Sequence, residues 1–91
     1  MHTLTTVPHP HPEIIARRLE KEAVLVMPVK GKIKVLNDVG ARVWELIDGR
    51  RTVGEIITLI AQEYEISTDI VSPDIHTFLT QLADRGMITF A

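Results

Sequence analysis

Histidine is the residue type in this chain best suited to metal or acid–base chemistry, and two of the four histidines stand together near the start. His9 and His11 alternate with three prolines over residues 8–12. A residue before proline is pushed towards extended geometry, and residues two apart in an extended chain share a face. Two histidines without a third ligand are weak evidence for a metal site. We therefore interpret residues 1–12 as a flexible arm.

The remaining polar residues do not assemble into a catalytic set. His76 is the only histidine inside the folded part, and it lies off the apolar stripe of its helix. Ser67 and Ser72 read as turn or cap residues, cysteine is absent, and no glycine-rich phosphate loop is present. We expect a chain that is not an enzyme and that binds no metal and no cofactor.

The first part of the chain predicts three strands in an antiparallel meander. Ile14–Leu19 is an irregular candidate, and Glu20–Glu22 is a polar turn. Ala23–Met27 is a dense apolar run, typical of a strand buried on nearly both faces. After a turn at Lys30–Gly31, Lys32–Leu36 alternates basic and apolar residues, which indicates one basic face and one apolar face.

The second part predicts three helices. Asn37 or Asp38 caps the first, which runs through Ile47, and the capping box from Thr52 to Glu55 begins the second. Ser72 before a proline predicts the start of the third, which ends at Gly86. The apolar tail at residues 87–90 is expected to be extended and packed back.

These elements predict one α+β domain over residues 13–91, with a three-stranded antiparallel meander followed by three helices. The 91 residues carry a net charge of −2 and no apolar run long enough to span a membrane. Residues 13–36 hold six basic and three acidic side chains, a net of +3, whereas residues 37–91 hold four basic and nine acidic side chains, a net of −5. This asymmetry favours an acidic partner for a basic face, and the absence of cysteine suits the cytoplasm.

A winged-helix DNA-binding regulator is one alternative, because two helices beside a strand pair outline that fold. The candidate recognition helix over residues 73–85 carries a net charge of −1, with Gln81 and Arg85 as its only groups suited to reading bases. Phosphate contacts need cationic side chains. We expect no nucleic-acid partner.

Several spaced motifs resemble one known family. The run Leu36-Asn37-Asp38-Val39-Gly40-Ala41-Arg42-Val43-Trp44-Glu45-Leu46-Ile47-Asp48-Gly49 is followed by Arg51-Thr52-Val53-Gly54-Glu55-Ile56, by Asp74-Ile75, by Phe78-Leu79 with Leu82, and by Gly86-Met87-Ile88. Over residues 13–90 the chain resembles the PqqD-like family of precursor-peptide recognition domains. Its Leu36-Asn37 and Trp44 are most similar to the free-standing partners of lasso-peptide leader proteases.

The resemblance implies a winged-helix-like domain without catalytic activity. Such a domain binds the leader segment of a ribosomally made precursor peptide and delivers it to a processing enzyme, here a lasso-peptide leader protease. The leader adds as a strand to the third strand, in a groove closed by the third helix. Chaperones of pyrroloquinoline quinone synthesis, or of another modified-peptide pathway, are the alternative within the family.

The pattern of the residues agrees, because the third strand ends the meander and has a free edge. We expect the peptide to lie along this strand and the third helix, with Ile33 or Val35 on the inner face beside the helix. The candidate peptide-binding residues are Lys30, Lys32, Ile33, Lys34, Val35, Leu36, Ile75, His76, Leu79, Leu82 and Ala83.

Overall fold

The computed structural model describes residues 2–91. Its strands are β1 (Pro8–Pro10), β2 (Ile15–Arg18), β3 (Glu22–Met27), β4 (Lys32–Asn37) and β5 (Ile88–Phe90), and its helices are α1 (Asp38–Leu46), α2 (Val53–Glu63) and α3 (Thr68–Asp84). A short 3-10 turn, Pro28–Lys30, joins β3 to β4. The α+β class, with three antiparallel strands followed by three helices, is confirmed. None of the helices within residues 2–91 has the length and apolar character to cross a bilayer.

The main sheet has the order β2-β3-β4, so that β3 is central and β2 and β4 are edges. β3 buries Ala23, Leu25 and Met27 against the helices, whereas Val24 and Val26 point to the opposite face and stay half-buried. The prediction of a strand buried on nearly both faces is therefore wrong. The helices cover only one face of this sheet, and the apolar residues of the other face are left in contact with solvent.

The first two helices begin where their capping residues predict. The Asn37 side chain accepts a hydrogen bond of 2.8 Å from the Gly40 N–H at the start of α1. At the start of α2, Thr52 and Glu55 form the reciprocal capping box. Both caps satisfy backbone donors that a helix start leaves without a partner.

The start of α3 differs from the prediction. The helix begins at Thr68 with Ser67 as its cap, and Pro73 lies inside it. The first turn forms before the proline, because the N–H groups of Ile70 and Val71 already donate to Ser67 O. Val71 is buried in the core, at 5% exposure. Burial of this side chain stabilises the extra turn, which no local pattern indicated.

The segment before β2 also differs from the expected flexible arm. β1 pairs antiparallel with β5, with Pro8 opposite Phe90, so the tail packs back as predicted and its partner is this segment. Further upstream, Thr6 O and Leu4 O accept hydrogen bonds of 2.9 Å from the N–H groups of Val53 and Gly54. These carbonyls satisfy two further donors at the start of α2. Met1 lies outside the described residues.

Gly49 provides a test of this packing. It has a φ of +76°, and a Cβ placed on it would lie 2.9 Å from His9 Nδ1. Gly31 has a similar φ of +62° but open space around it. The left-handed region costs a non-glycine residue about 1–2 kcal/mol, so Gly31→Ala measures the backbone cost alone.

We expect Gly49→Ala to lower the free energy of unfolding by more than Gly31→Ala does, because His9 must also move. Urea denaturation of both variants measures the difference. In native-state hydrogen exchange, Gly49→Ala should also speed exchange of the Val7 and Ala91 amides, which donate to each other's carbonyls at 3.0 Å. Equal destabilisation and unchanged exchange would show that His9 is not held against Gly49.

Candidate peptide-binding edge

The backbone direction of β4 follows from one turn and two registers. Leu19 N–H donates to Glu22 O at 2.8 Å across the turn between β2 and β3. In an antiparallel ladder, hydrogen-bonded and non-hydrogen-bonded pairs alternate. The even positions of β3, 22, 24 and 26, therefore direct their backbone groups to β2, and the odd positions direct theirs to β4.

The register between β3 and β4 determines which residues of β4 point their backbone groups to the free edge. Leu25 lies opposite Lys34, and Met27 lies opposite Lys32, so these are the hydrogen-bonded pairs. The N–H and C=O groups of Ile33 and Val35 consequently point away from the sheet. β4 has no strand on that side. It offers two residues, and hence four backbone groups, to an added strand.

The side chains of β4 alternate in the sense opposite to the one expected. Leu36 is buried at 2% exposure, and Lys32 and Lys34, which have the same parity, face the helices and are half-buried. Ile33 and Val35 are 62% and 60% exposed on the outer face. The prediction that one of them lies on the inner face is wrong. Leu36 is the β4 side chain that packs into the core. Strict alternation then places Lys32 and Lys34 on the same face of the strand as Leu36.

A groove lies between the edge of β4 and one flank of α3. Lys32 Nζ donates to Arg85 O at 3.0 Å, which places the end of α3 beside the start of β4. At the other end, Phe78 approaches Gly40 closely, since a Cβ on Gly40 would lie 3.6 Å from the Phe78 ring. α3 therefore runs antiparallel to β4.

The Phe78 end of this groove opens into a cavity of about 330 Å³. Its walls come from β4, α1, α3 and the loop before α3, and they are mainly apolar. The lining residues are Asn37, Val39, Gly40, Val43, Ile66, Val71, Asp74, Ile75 and Phe78. A cavity of this size at the Asn37 end of β4 is large enough for one apolar side chain of a strand added to β4.

The residues predicted on α3 divide between two faces. Ile75, Leu79 and Leu82 belong to the closed core, with exposures of 2%, 0% and 0%. Ile75 also reaches the wall of the cavity. His76 and Ala83 are half-buried, two helical turns apart, and share a different face from Phe78, since residues two apart on a helix point in nearly opposite directions.

His76 faces the N-terminal segment rather than β4. Its Nδ1 lies 2.7 Å from His2 Nε2, and the two rings stack with centroids 4.9 Å apart. The His2 ring also stacks on Phe90, at 4.5 Å. Burial, and next the neighbouring His76, lower the pKa of His2. The structure therefore does not bring His76 to the edge of β4.

The basic character of the groove comes from Lys30, Lys32 and Lys34. Within residues 2–91 none of these lysines forms an ion pair, and the ion pairs present involve arginines elsewhere. Lys30 is exposed, and its Nζ comes within 3.9 Å of the position of a Cβ on Gly86, near the end of α3. The groove thus has a cationic end and an apolar end.

The geometry gives less support to a metal site or to nucleic-acid binding. His9 lies against Gly49, and His11 Nδ1 accepts a hydrogen bond from its neighbour Glu13 N–H at 3.1 Å. Across residues 2–91, no three metal-ligating side chains of the His, Asp and Glu types come together. The sequence of α3 contains three aspartates and neither lysine nor arginine, so it is poorly suited to phosphate contacts.

Sequence reasoning missed the residues on the β4 side of α3. Asp74, Phe78, Gln81 and Arg85 recur at spacings of three and four, the spacing of one helix flank. From the sequence, Phe78 is placed only in a motif with Leu79 and Leu82. Its half-buried position on the groove side was not foreseeable, because the start and rotation of α3 depend on the burial of Val71.

Comparison with known proteins gives a consistent result. Residues 22–88 match the family model described as "Coenzyme PQQ synthesis protein D (PqqD)". The "PqqA binding protein" of Gluconobacter oxydans (strain 621H) is 26% identical over 65 residues, covering 71% of this chain and 68% of that protein. The "PqqA binding protein" of Bradyrhizobium diazoefficiens is also 26% identical, covering 79% of this chain and 70% of the relative.

A solved structure shares the fold over most of its length. The structure titled "TbiB1 in Complex with the TbiA(beta) Leader Peptide" superposes with a TM-score of 0.79 at 26% identity. The match covers 88% of this chain and 93% of that chain. The match to the family model over residues 22–88 spans both the groove-forming strand and α3, and the chain belongs to the PqqD family.

Proposed function

We propose that this protein binds the leader segment of a ribosomally synthesised precursor peptide, as a strand added to β4, and that it performs no chemistry on the peptide itself. The observation that carries this proposal is the free edge of β4, where Ile33 and Val35 point their backbone groups out of the sheet. An apolar cavity lies at the Asn37 end of the same strand. The resemblance to proteins described as binding PqqA and to one solved with a leader peptide supports it.

Backbone pairing alone is too weak for tight binding. Four hydrogen bonds at about 1 kcal/mol each fall short of the roughly 8 kcal/mol of micromolar affinity. An apolar leader side chain buried in the cavity beside Phe78 contributes about 1.5–3 kcal/mol. Acidic leader residues near Lys32 and Lys34 supply the remainder and fix the register. The leader that fits is therefore an extended segment with one large apolar residue and acidic neighbours.

The bound leader is delivered to a processing enzyme, and we assign that enzyme to the class of lasso-peptide leader proteases. The Leu36-Asn37 and Trp44 motif supports this assignment. The likeness to TbiB1, which is matched over 93% of its chain and was solved with a leader peptide, supports leader binding by this domain. A PqqD-type chaperone is the alternative, and the two curated relatives at 26% identity favour it.

The first experiment titrates labelled leader peptides with the protein and measures fluorescence anisotropy. The probes are the TbiA(β) leader and PqqA. Micromolar or tighter binding of a leader that the protein leaves uncleaved supports the proposal. The identity of the tightest probe separates the lasso-type pathway from the quinone pathway, and binding of no probe would contradict the proposal.

Proline substitution tests the backbone direction of β4. Proline removes one N–H donor and fixes φ. At Ile33 or Val35 we expect a folded protein that loses at least tenfold in leader affinity. At Lys32 or Lys34 we expect a lower melting temperature, since a bond to β3 is lost. Circular dichroism melts and anisotropy separate the two effects, and the reverse pattern would overturn the assigned alternation.

Two ring substitutions on α3 test the position of the groove. Phe78→Ala should weaken leader binding, because the ring borders the cavity and its contact with an apolar leader side chain is lost. His76→Ala is the matched control, since its ring faces His2 on the other side of the helix. It should leave leader affinity within twofold. Weakening by His76→Ala alone would move the site to the N-terminal face.

The charge of the groove is tested by Lys32→Glu combined with Lys34→Glu. We expect weaker leader binding, with the difference from the wild type shrinking as salt rises, because the Debye length falls from about 10 Å at 0.1 M to about 3 Å at 1 M. Arg50→Glu combined with Arg51→Glu, in the loop before α2, is the control of equal charge change. An affinity independent of salt in the wild type would show that the lysines do not contact the leader.

A further inference from the structure

The strand β2 is the second free edge of the main sheet, on the side away from the groove beside β4. The even positions of β3 direct their backbone groups to β2, where their register partners include Ile15 and Arg17. The N–H and C=O groups of Ala16 and Arg18 therefore point away from β3. Within residues 2–91 no strand lies on that side of β2. This edge thus offers four backbone groups to an added strand.

A cavity of about 540 Å³ lies between this edge and α1. Ala16 and Arg18 line it from β2, and the half-buried Trp44 lines it from α1. The β2 side chains point to the helix-facing side of the sheet, since their register partners Leu25 and Ala23 are buried there. The cavity is larger than the one of about 330 Å³ between β4 and α3. It is large enough for one large side chain of a strand added to β2.

The polar side chains that line this cavity already have partners within the chain. Arg18 pairs with Asp38 at 2.9 Å. Glu45 lies 3.6 Å from Arg42. His11 Nδ1 accepts a hydrogen bond of 3.1 Å from a neighbouring backbone N–H. The wall that remains for a ligand is apolar, and the side chain that fits it is therefore apolar as well.

The charge beside the edge favours an acidic neighbour for this apolar side chain. Arg17 lies on the outer face of β2, is exposed, and has no ion-pair partner among the residues that the structure describes. The strand itself contains no acidic residue. Residues directly opposite each other in antiparallel strands share a face, so the residue added opposite Arg17 lies beside its guanidinium. A carboxylate is favoured at that position, next in sequence to the residue that enters the cavity.

A second copy of this chain fits the edge less well than a different partner does. Antiparallel pairing of two β2 strands centred on Arg17 or on Arg18 would place an arginine opposite the same arginine of the copy. Like charges directly opposite each other destabilise a strand pair. The edge therefore favours an extended segment of another protein, with a large apolar residue next to an acidic one.

We propose that the edge of β2 is a second peptide-binding site, which pairs antiparallel with such a segment and takes its apolar side chain into the cavity beside Trp44, with the carboxylate beside Arg17. The site is separate from the edge of β4, because two strand spacings, about 10 Å, lie between the two edges. Both edges can be occupied at once. This inference goes beyond the proposed function and does not depend on leader binding at β4.

The probe is the peptide acetyl-Thr-Glu-Phe-Val-Thr-amide, designed to lie antiparallel to β2 with its glutamate opposite Arg17 and its phenylalanine opposite Ala16. Amide NMR spectra of isotope-labelled protein follow the titration. We expect peak shifts at the amides of Ala16 and Arg18 and at the indole of Trp44, the single tryptophan of the chain. The amides of the β4 edge should keep their positions.

Two methylated forms of the probe test the backbone pairing. Opposite Ala16, the phenylalanine N–H of the probe donates to β2, whereas the glutamate N–H opposite Arg17 points away from it. Methylation of the phenylalanine nitrogen should weaken binding at least tenfold. Methylation of the glutamate nitrogen, the matched control, should leave the affinity within twofold.

A charge exchange tests the contact with Arg17. Arg17→Glu should weaken binding of the probe by about threefold, the size expected for an exposed ion pair, and replacing the probe's glutamate by lysine should restore it. Arg50→Glu is the control, because Arg50 is also exposed and has no ion-pair partner in the described part of the chain. It should not change the affinity.

Proline substitutions separate the two edges. Ala16→Pro removes a donor that points away from the sheet, so the protein should stay folded, lose the probe and keep the TbiA(β) leader. Ile33→Pro should have the opposite effect, losing the leader and keeping the probe. Circular dichroism melts verify that both variants fold.

Four outcomes would overturn the inference. Shifts confined to Ile33 and Val35 would assign the probe to β4. An unchanged spectrum at millimolar probe would show that the β2 edge accepts no such strand. Equal binding of the two methylated probes would exclude the backbone pairing. A homodimer in sedimentation velocity that Ala16→Pro dissociates would make a second copy the occupant.

The outcomes for the two proposals are distinguishable. A leader that fails to bind the wild type, while the probe still shifts Ala16 and Trp44, would contradict the proposed function alone. A leader that binds at β4, while the probe leaves β2 unchanged, would contradict this inference alone.

Discussion

The two-residue turn between β2 and β3 is the constraint on which the binding edge depends. The bond from Leu19 N–H to Glu22 O fixes which residues of β3 face β2. The register with β4 then directs the backbone groups of Ile33 and Val35 outward, to the free edge. Burial of Ala23, Leu25 and Met27 fixes the side-chain faces in the same way. A shift of one residue would exchange both patterns together, because side chains and backbone groups of a strand alternate in step.

Contacts at the two ends of the groove set the position of α3 relative to β4. Lys32 reaches Arg85 O at the end of α3, and Gly40 admits Phe78 at the other end. Between them the helix does not close onto the strand. Lysines along an edge strand also discourage pairing with a second copy. The same residues that attract an acidic leader therefore protect the free protein from association through this edge.

The N-terminal segment stabilises the helical side without entering the groove. β1 pairs with β5, Leu4 and Thr6 supply acceptors to the start of α2, and His2 stacks between His76 and Phe90. The contact between His2 and His76 occupies the face of α3 opposite Phe78. The protein thus uses one flank of α3 to hold its own N-terminal segment and leaves the other flank for a ligand.

Local patterns in the sequence determined the elements that depend on neighbouring residues. The Asn37 cap and the capping box at Thr52 predicted α1 and α2, because hydrogen bonds within a few residues fix these helix starts. The alternation from Lys32 to Leu36 predicted β4, because alternate residues of a strand face opposite sides. Only the tertiary structure decided the start of α3, the side of α3 that faces β4 and the partner of the C-terminal tail. It also decided that Ile33 and Val35 face outward. These features depend on burial of Val71, Leu36 and Pro8 against residues distant in sequence, and no local pattern records such contacts.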